Sequence, residues 1–69
     1  MYRLKEARIR ARKSQMQSAM KLKTTQMQIS KYERGVQDIT LAKALKLAEY
    51  YNVSLDWITG RTEKPEVNA

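Results

Sequence analysis

The sequence predicts an all-α fold, a compact bundle of five short helices, and three observations predict it. The single proline, Pro65, lies near the C-terminus and the two glycines are Gly35 and Gly60, so almost the whole chain is free to be helical. No alternating run of Val, Ile and Thr marks a strand. Serine or threonine repeatedly stands just before a segment of helical periodicity, which is how helices begin.

The first helix is expected over residues 2–12, with Leu4, Ala7 and Ala11 on its inner face. Ser14 caps a second helix, and Gln17 three residues on completes an S-x-x-Q capping box. That helix runs to Leu22, with Ala19 and Leu22 turned inward. Thr25 and Gln28 repeat the device and open a third helix through Arg34, with Ile29 and Tyr32 as its anchors. Gly35 supplies a left-handed stop. After the loop VQDI, Thr40 caps a fourth helix, whose Leu41, Ala44, Leu45, Ala48 and Tyr51 follow helical spacing until Asn52. Ser54 caps a short fifth helix, LDWIT. Val53 and Ile58 are placed as a hydrophobic staple, Asp56 suits the positive end of the helix dipole, and Gly60 closes the element. Residues 1–62 form the domain and residues 63–69 a flexible tail.

The second and third helices are joined only by a short LKT segment. A joint of that length makes a sharp turn, the geometry of a helix-turn-helix.

Composition narrows the function. The 69 residues hold no cysteine and no histidine, which removes disulfides, the common zinc sites and histidine-based catalysis. No convergent carboxylate pair is evident and a small helical domain offers no deep pocket, so an enzyme is not expected. No cofactor and no small-molecule ligand are indicated. The N-terminus is charged from Arg3 to Lys13 and no segment approaches about 20 apolar residues, so a cytoplasmic protein is expected. The net charge is +7, unevenly spread: residues 1–34 carry ten basic and two acidic residues, and residues 35–69 four basic and five acidic. A field concentrated on one half suits a polyanion. An anionic membrane is the weaker choice, because the apolar face of the fourth helix is needed for the core.

The stretch SQMQSAMKLKTTQMQISKYERG resembles the helix-turn-helix of the Cro/CI-type repressors, the XRE family, and YYNVSLDWITGRTE resembles that family's closing segment. The likeness runs without a gap from Arg3 to Thr62. The TTQ opening of the third helix is similar to that of lambdoid phage repressors, and the tail resembles those of short regulators from Gram-positive bacteria and mobile elements. The resemblance implies a lambda repressor-like domain that binds double-stranded DNA, as a homodimer on a pseudo-palindromic operator, and regulates transcription as a repressor.

Residue by residue, the resemblance implies that the third helix enters the major groove. Gln26 matches the glutamine that reads adenine, whose N6 and N7 suit an amide's acceptor and donor. Lys31 matches a base-reading position suited to guanine or to a phosphate. Met27 occupies a base-facing position that is usually polar and suits a thymine methyl. Ser30, between Met27 and Lys31, is a further candidate base-reading residue, whereas Gln28 reads first as a capping-box residue. Ser14, Gln15, Thr25 and Arg34 fall at positions that contact the DNA backbone. Arg8 and Glu33 match a structural ion pair between the first and third helices. Leu55, Trp57 and Ile58 exceed what one short helix readily buries, which makes them the expected dimer contacts.

Departures from the family pattern are visible. Lys23 stands where the turn usually has glycine, so it is either held at positive φ or the turn differs. Ser18 and Lys13 replace leucines, with Met16 and Met20 as the candidates to compensate. The run RIRARK, residues 8–13, is either a solvated face or lies along phosphates. Two other readings use the same fold: a protein-interaction module such as an antitoxin or antirepressor, or a nonspecific architectural DNA binder.

Overall fold

Five helices follow one another in the computed structural model, which describes residues 2–66: α1 (Leu4–Arg10), α2 (Gln15–Leu22), α3 (Gln26–Arg34), α4 (Leu41–Tyr51) and α5 (Leu55–Ile58). No strand occurs among the described residues.

Local chemistry sets most boundaries. At α2 the capping box is complete: Ser14 Oγ accepts from the Gln17 backbone N–H at 3.0 Å, and Gln17 Oε1 accepts from the Ser14 N–H at 2.8 Å. Thr25, Thr40 and Ser54 accept from the third N–H of α3, α4 and α5 in the same way. The T-x-x-Q device at α3 is only half made, however. Gln28 Nε2 is buried without a partner among the described residues, and no return bond to Thr25 forms. Helices α2, α3 and α4 end on left-handed residues, Lys23 (φ 57°), Gly35 (φ 74°) and Asn52 (φ 56°). Lys23 thus adopts the glycine-like conformation, at a cost of about 1–3 kcal/mol.

Helix α1 is shorter than expected. Arg3 provides no side-chain cap, and Arg12 turns left-handed at φ 58°, so the helix spans Leu4–Arg10 rather than 2–12.

The core gathers Leu4 and Ala7 of α1, Ala19 and Leu22 of α2, Ile29 and Tyr32 of α3, Leu47, Ala48 and Tyr51 of α4, then Val53, Trp57 and Ile58. Helix α2 packs on α3 and α4, while α1 lies against α4 and α3. Three expectations are corrected here. Leu41 and Leu45 do not face inward: they are 66% and 42% exposed, and Leu47 takes the buried place. Helix α4 is apolar on more than one side, and contact with α1, α2 and α5 decides its rotation. Met16 and Met20 do not fill the place of missing leucines, since both are exposed. Ser18 instead is fully buried, where its hydroxyl meets the Tyr51 hydroxyl at 2.5 Å and the Ser14 carbonyl at 3.1 Å. Finally, Trp57 and Ile58 are not available as dimer contacts. Trp57 is 4% exposed and Ile58 is 0% exposed, inside the molecule's own core.

The N-terminal segment explains how α5 buries so much. The Arg3 N–H donates to the Ile58 carbonyl at 2.8 Å, and the Arg3 guanidinium donates to the Trp57 and Thr62 carbonyls. Arg3 and Arg10 also lie over the Trp57 ring, at 5.3 and 5.7 Å from its centroid. Such contacts let the arginine stems cover apolar surface while the charge stays wet. The segment expected to be a tail is described as far as Glu66. It carries no helix, but its Pro65 carbonyl accepts from the Ser54 N–H at 2.8 Å and Glu63 pairs with Arg3 at 3.0 Å. Residues 67–69 lie outside the described residues.

Candidate nucleic-acid interface

Helix α3 divides its side chains by angle. At about 100° per residue, Gln26, Ser30, Arg34, Met27 and Lys31 follow one another around an arc of roughly 140°. Gln28, Tyr32, Ile29 and Glu33 occupy the opposite arc. Burial agrees with this division: Ile29, Tyr32 and Glu33 are buried, while Gln26, Met27 and Arg34 are exposed. Met27, an apolar side chain, is 67% exposed. Ser30 and Lys31 are half-buried.

The structure draws Gln15, Gln26, Met27, Ser30 and Arg34 around one shallow depression. Lys31 is not among the residues of that depression and stands at the edge of the arc furthest from Gln26. Ser30 is partly engaged, because its hydroxyl accepts from Arg34 Nε at 3.1 Å. That contact holds the Arg34 guanidinium along the helix flank.

Beneath the arc runs a chain of polar contacts. Arg8 Nε donates to Glu33 Oε2 at 2.7 Å, and Arg8 NH2 to Glu33 Oε1 at 3.4 Å. A further Arg8 nitrogen donates to the Lys13 carbonyl at 3.0 Å. Gln15 Nε2 donates to Glu33 Oε1 at 3.0 Å, and Gln26 Nε2 donates to Gln15 Oε1 at 3.4 Å. The Arg8–Glu33 pair is largely buried, its side chains 14% and 4% exposed. A buried carboxylate needs its lone pairs filled, and here three donor contacts fill them. Sequence reasoning paired Arg8 with Glu33 but missed that Glu33 also holds Gln15. Gln15 and Glu33 lie on different helices, and no local spacing rule joins them.

Ser14 and Thr25 stand at the N-termini of α2 and α3. Each hydroxyl oxygen is occupied by an N–H of its own helix, which leaves the hydroxyl hydrogen free to donate outward. A hydroxyl that accepts inward and donates outward at a helix N-terminus suits an anion. Of the basic residues on these two helices and the exit of α2, Lys23 and Arg34 are exposed and Lys31 is half-buried, whereas Lys21 lies over the Tyr50 ring of α4, 5.7 Å from its centroid. Leu55 remains partly exposed, bordering with Leu45, Ala48 and Val53 a groove between α4 and α5.

No group of three or more Asp or Glu side chains that could hold a metal ion occurs among the described residues. No helix there is long and apolar enough to cross a membrane.

A family model described as helix-turn-helix matches residues 4–58, from the first residue of α1 to the last of α5. The chain is also similar to the HTH-type transcriptional regulator ImmR of Bacillus subtilis (strain 168), at 41% identity over 66 residues. That match covers 96% of this chain and 52% of the relative, so the chain spans about half the length of the curated protein it matches. No solved structure matches. With the capped α2–turn–α3 unit in place, the chain belongs to the Cro/CI-type (XRE) helix-turn-helix family of DNA-binding transcriptional regulators.

Proposed function

We propose that the chain binds double-stranded DNA sequence-specifically, with α3 in the major groove, and acts as a repressor in the bacterial cytoplasm. The observation that carries this reading is the exposed arc of α3, whose first residue, Gln26, is held from beneath by Gln15. A solvated helix face does not need its leading side chain anchored to a buried carboxylate; a base reader does. Gln26, Met27 and Lys31 read base edges, and Ser30 contributes through its grip on Arg34. Ser14, Gln15, Thr25 and Arg34 meet the DNA backbone. Repression follows from occupancy, since a protein bound across a promoter excludes polymerase without any chemistry.

A homodimer on two half-sites completes the proposal. With Trp57 and Ile58 interior, the dimer contact falls to Leu55 and to the exposed Leu41 and Leu45 of α4.

The test is selection of bound duplexes from a random library at near-physiological salt. A two-fold-related motif with half-sites about one helical turn apart is expected. No enriched motif sinks sequence-specific reading and leaves an architectural or protein-partner role. Affinity should fall with salt at a log–log slope of about −0.9 per neutralised phosphate. Gln26→Ala should cost about 1–3 kcal/mol on the selected site and much less on random DNA.

A further inference from the structure

Every link in the chain beneath α3 has a direction. Glu33 is a carboxylate, so it only accepts hydrogen bonds. Arg8 only donates, and its guanidinium holds the Glu33 carboxylate in place. Gln15 must therefore present Nε2 to Glu33, which it does at 3.0 Å. Its amide is planar, so Oε1 is then turned the other way, toward Gln26. Gln26 in turn must present Nε2 to that oxygen, which it does at 3.4 Å. What remains for the outside is one acceptor, Gln26 Oε1, beside one remaining N–H. An acceptor and a donor side by side match adenine N6 and N7; two donors would match guanine O6 and N7. A glutamine free of such a chain can turn its amide over and offer either pattern.

We infer that Glu33, which lies off the DNA-facing arc, is a specificity-determining residue: it sets the polarity of the Arg8–Glu33–Gln15–Gln26 relay and so makes Gln26 a reader of adenine rather than guanine. This rests on the DNA-binding reading above. Glu33 acts through Gln15 and Gln26 and is a positioning residue, with no part in touching the DNA itself.

The decisive variant is Glu33→Gln, which keeps size and shape. Residue 33 must still accept from Arg8, so its oxygen faces Arg8 and its amide nitrogen faces Gln15. Gln15 then turns its oxygen toward residue 33 and its nitrogen toward Gln26. Gln26 accepts with Oε1 and presents both N–H groups outward. The whole relay reverses.

The experiment selects duplexes from one random library with four proteins: wild type, Gln26→Ala, Glu33→Gln and Gln15→Met. The position read by residue 26 is the one whose preference disappears in Gln26→Ala. If that variant loses affinity equally on all sequences, Gln26 does not read bases, and both the base-reading proposal and this inference fall. Given such a position, Glu33→Gln should exchange adenine for guanine there, changing the A-to-G ratio about tenfold or more, with the remaining motif unchanged. Retention of adenine, or a uniform loss across the motif, overturns the relay while leaving base reading intact, since a purely structural Glu33 moves only overall affinity. Circular dichroism checks that Glu33→Gln is folded. Should it unfold, Gln15→Met decides: it removes one donor from Glu33 and cuts the relay, keeps both Arg8–Glu33 contacts, and should bring adenine and guanine within a few-fold of each other. Whatever Gln15 itself gives to phosphate binding weakens both sequences alike and cancels in the ratio. Full adenine preference in Gln15→Met also overturns the inference.

Discussion

Helices α3 and α4 begin with the same device, a threonine hydroxyl that accepts from the third N–H, and both end on a left-handed residue, Gly35 or Asn52. Between those ends they differ. Helix α4 buries Ala44, Leu47, Ala48 and Tyr51, and its buried polar contact is a neutral one, between the Tyr51 and Ser18 hydroxyls. Helix α3 buries Ile29 and Tyr32 together with a carboxylate, Glu33. Apolar packing does not depend on direction, so it fixes where α4 lies but tolerates small rotations. An ion pair with two guanidinium contacts is directional, so it fixes the angle of α3 as well. The proposed role of α3, aiming side chains at base edges, calls for the second kind of anchor.

The largest effects should come from breaking each anchor. Glu33→Ala leaves Arg8 buried without its partner and should cost about 3–5 kcal/mol. Leu47→Ala removes a fully buried side chain from α4 and should cost about 2–5 kcal/mol. Chemical denaturation measures both. The sharper comparison is the double replacement Arg8→Met with Glu33→Leu. Apolar residues of similar volume should restore most of the lost stability, while base preference in DNA selection stays degraded. A double variant as unstable as Glu33→Ala alone would show that packing cannot substitute for the pair, and the contrast between the helices would then be one of strength, not direction.

Next in size is the turn that aims α3. Lys23→Gly should stabilise the protein by about 1 kcal/mol, because glycine adopts φ 57° without strain yet loses more freedom on folding. A loss of stability would mean that the lysine stem packs usefully there. On α4, Leu41→Lys with Leu45→Lys should leave monomer stability within about 0.5 kcal/mol, since both are exposed. Sedimentation on DNA should nevertheless show the proposed dimer weakened; an unchanged dimer would move the proposed interface elsewhere.

The smallest effect concerns pH. Burial pushes the Tyr51 phenol above its ordinary value of 10.0, with the Ser18 hydrogen bond opposing. Its folded pKa exceeds the unfolded one, so the folded state holds the proton more tightly. That contribution is fully present below pH 10 and is lost as pH climbs through the raised value. Tyr51→Phe should flatten this alkaline decline, which denaturation at stepped pH would reveal.

Helix starts were legible in the sequence because capping is local: Ser14, Thr25, Thr40 and Ser54 each reach only three residues ahead. The division of α3 was legible too, since Ile29 and Tyr32 are the apolar residues opposite a polar arc. The rotation of α4 was not. Leu41, Leu45 and Leu47 are chemically alike, and only the helices packed around them choose which is buried. Trp57 looked surplus to a four-residue helix because its cover, Arg3 and Arg10, comes from the other end of the chain. The Gln15–Glu33 bond has the same character: two residues 18 apart that only the assembled turn brings together.

The bond from the Arg3 N–H to the Ile58 carbonyl makes the polypeptide a nearly closed loop. Topologically, the order in which the helices are strung matters less than their adjacency. The chain could be joined from the region of Thr62 back to Arg3 and opened instead between α3 and α4, where Val36, Gln37 and Asp38 are exposed, with every helix keeping its neighbours. Such a permuted chain would carry its new ends at the foot of α3, so that a fused module would sit beside α3 rather than beside α5. The geometry that closes the loop thus also offers a choice of where this small domain is attached to anything else.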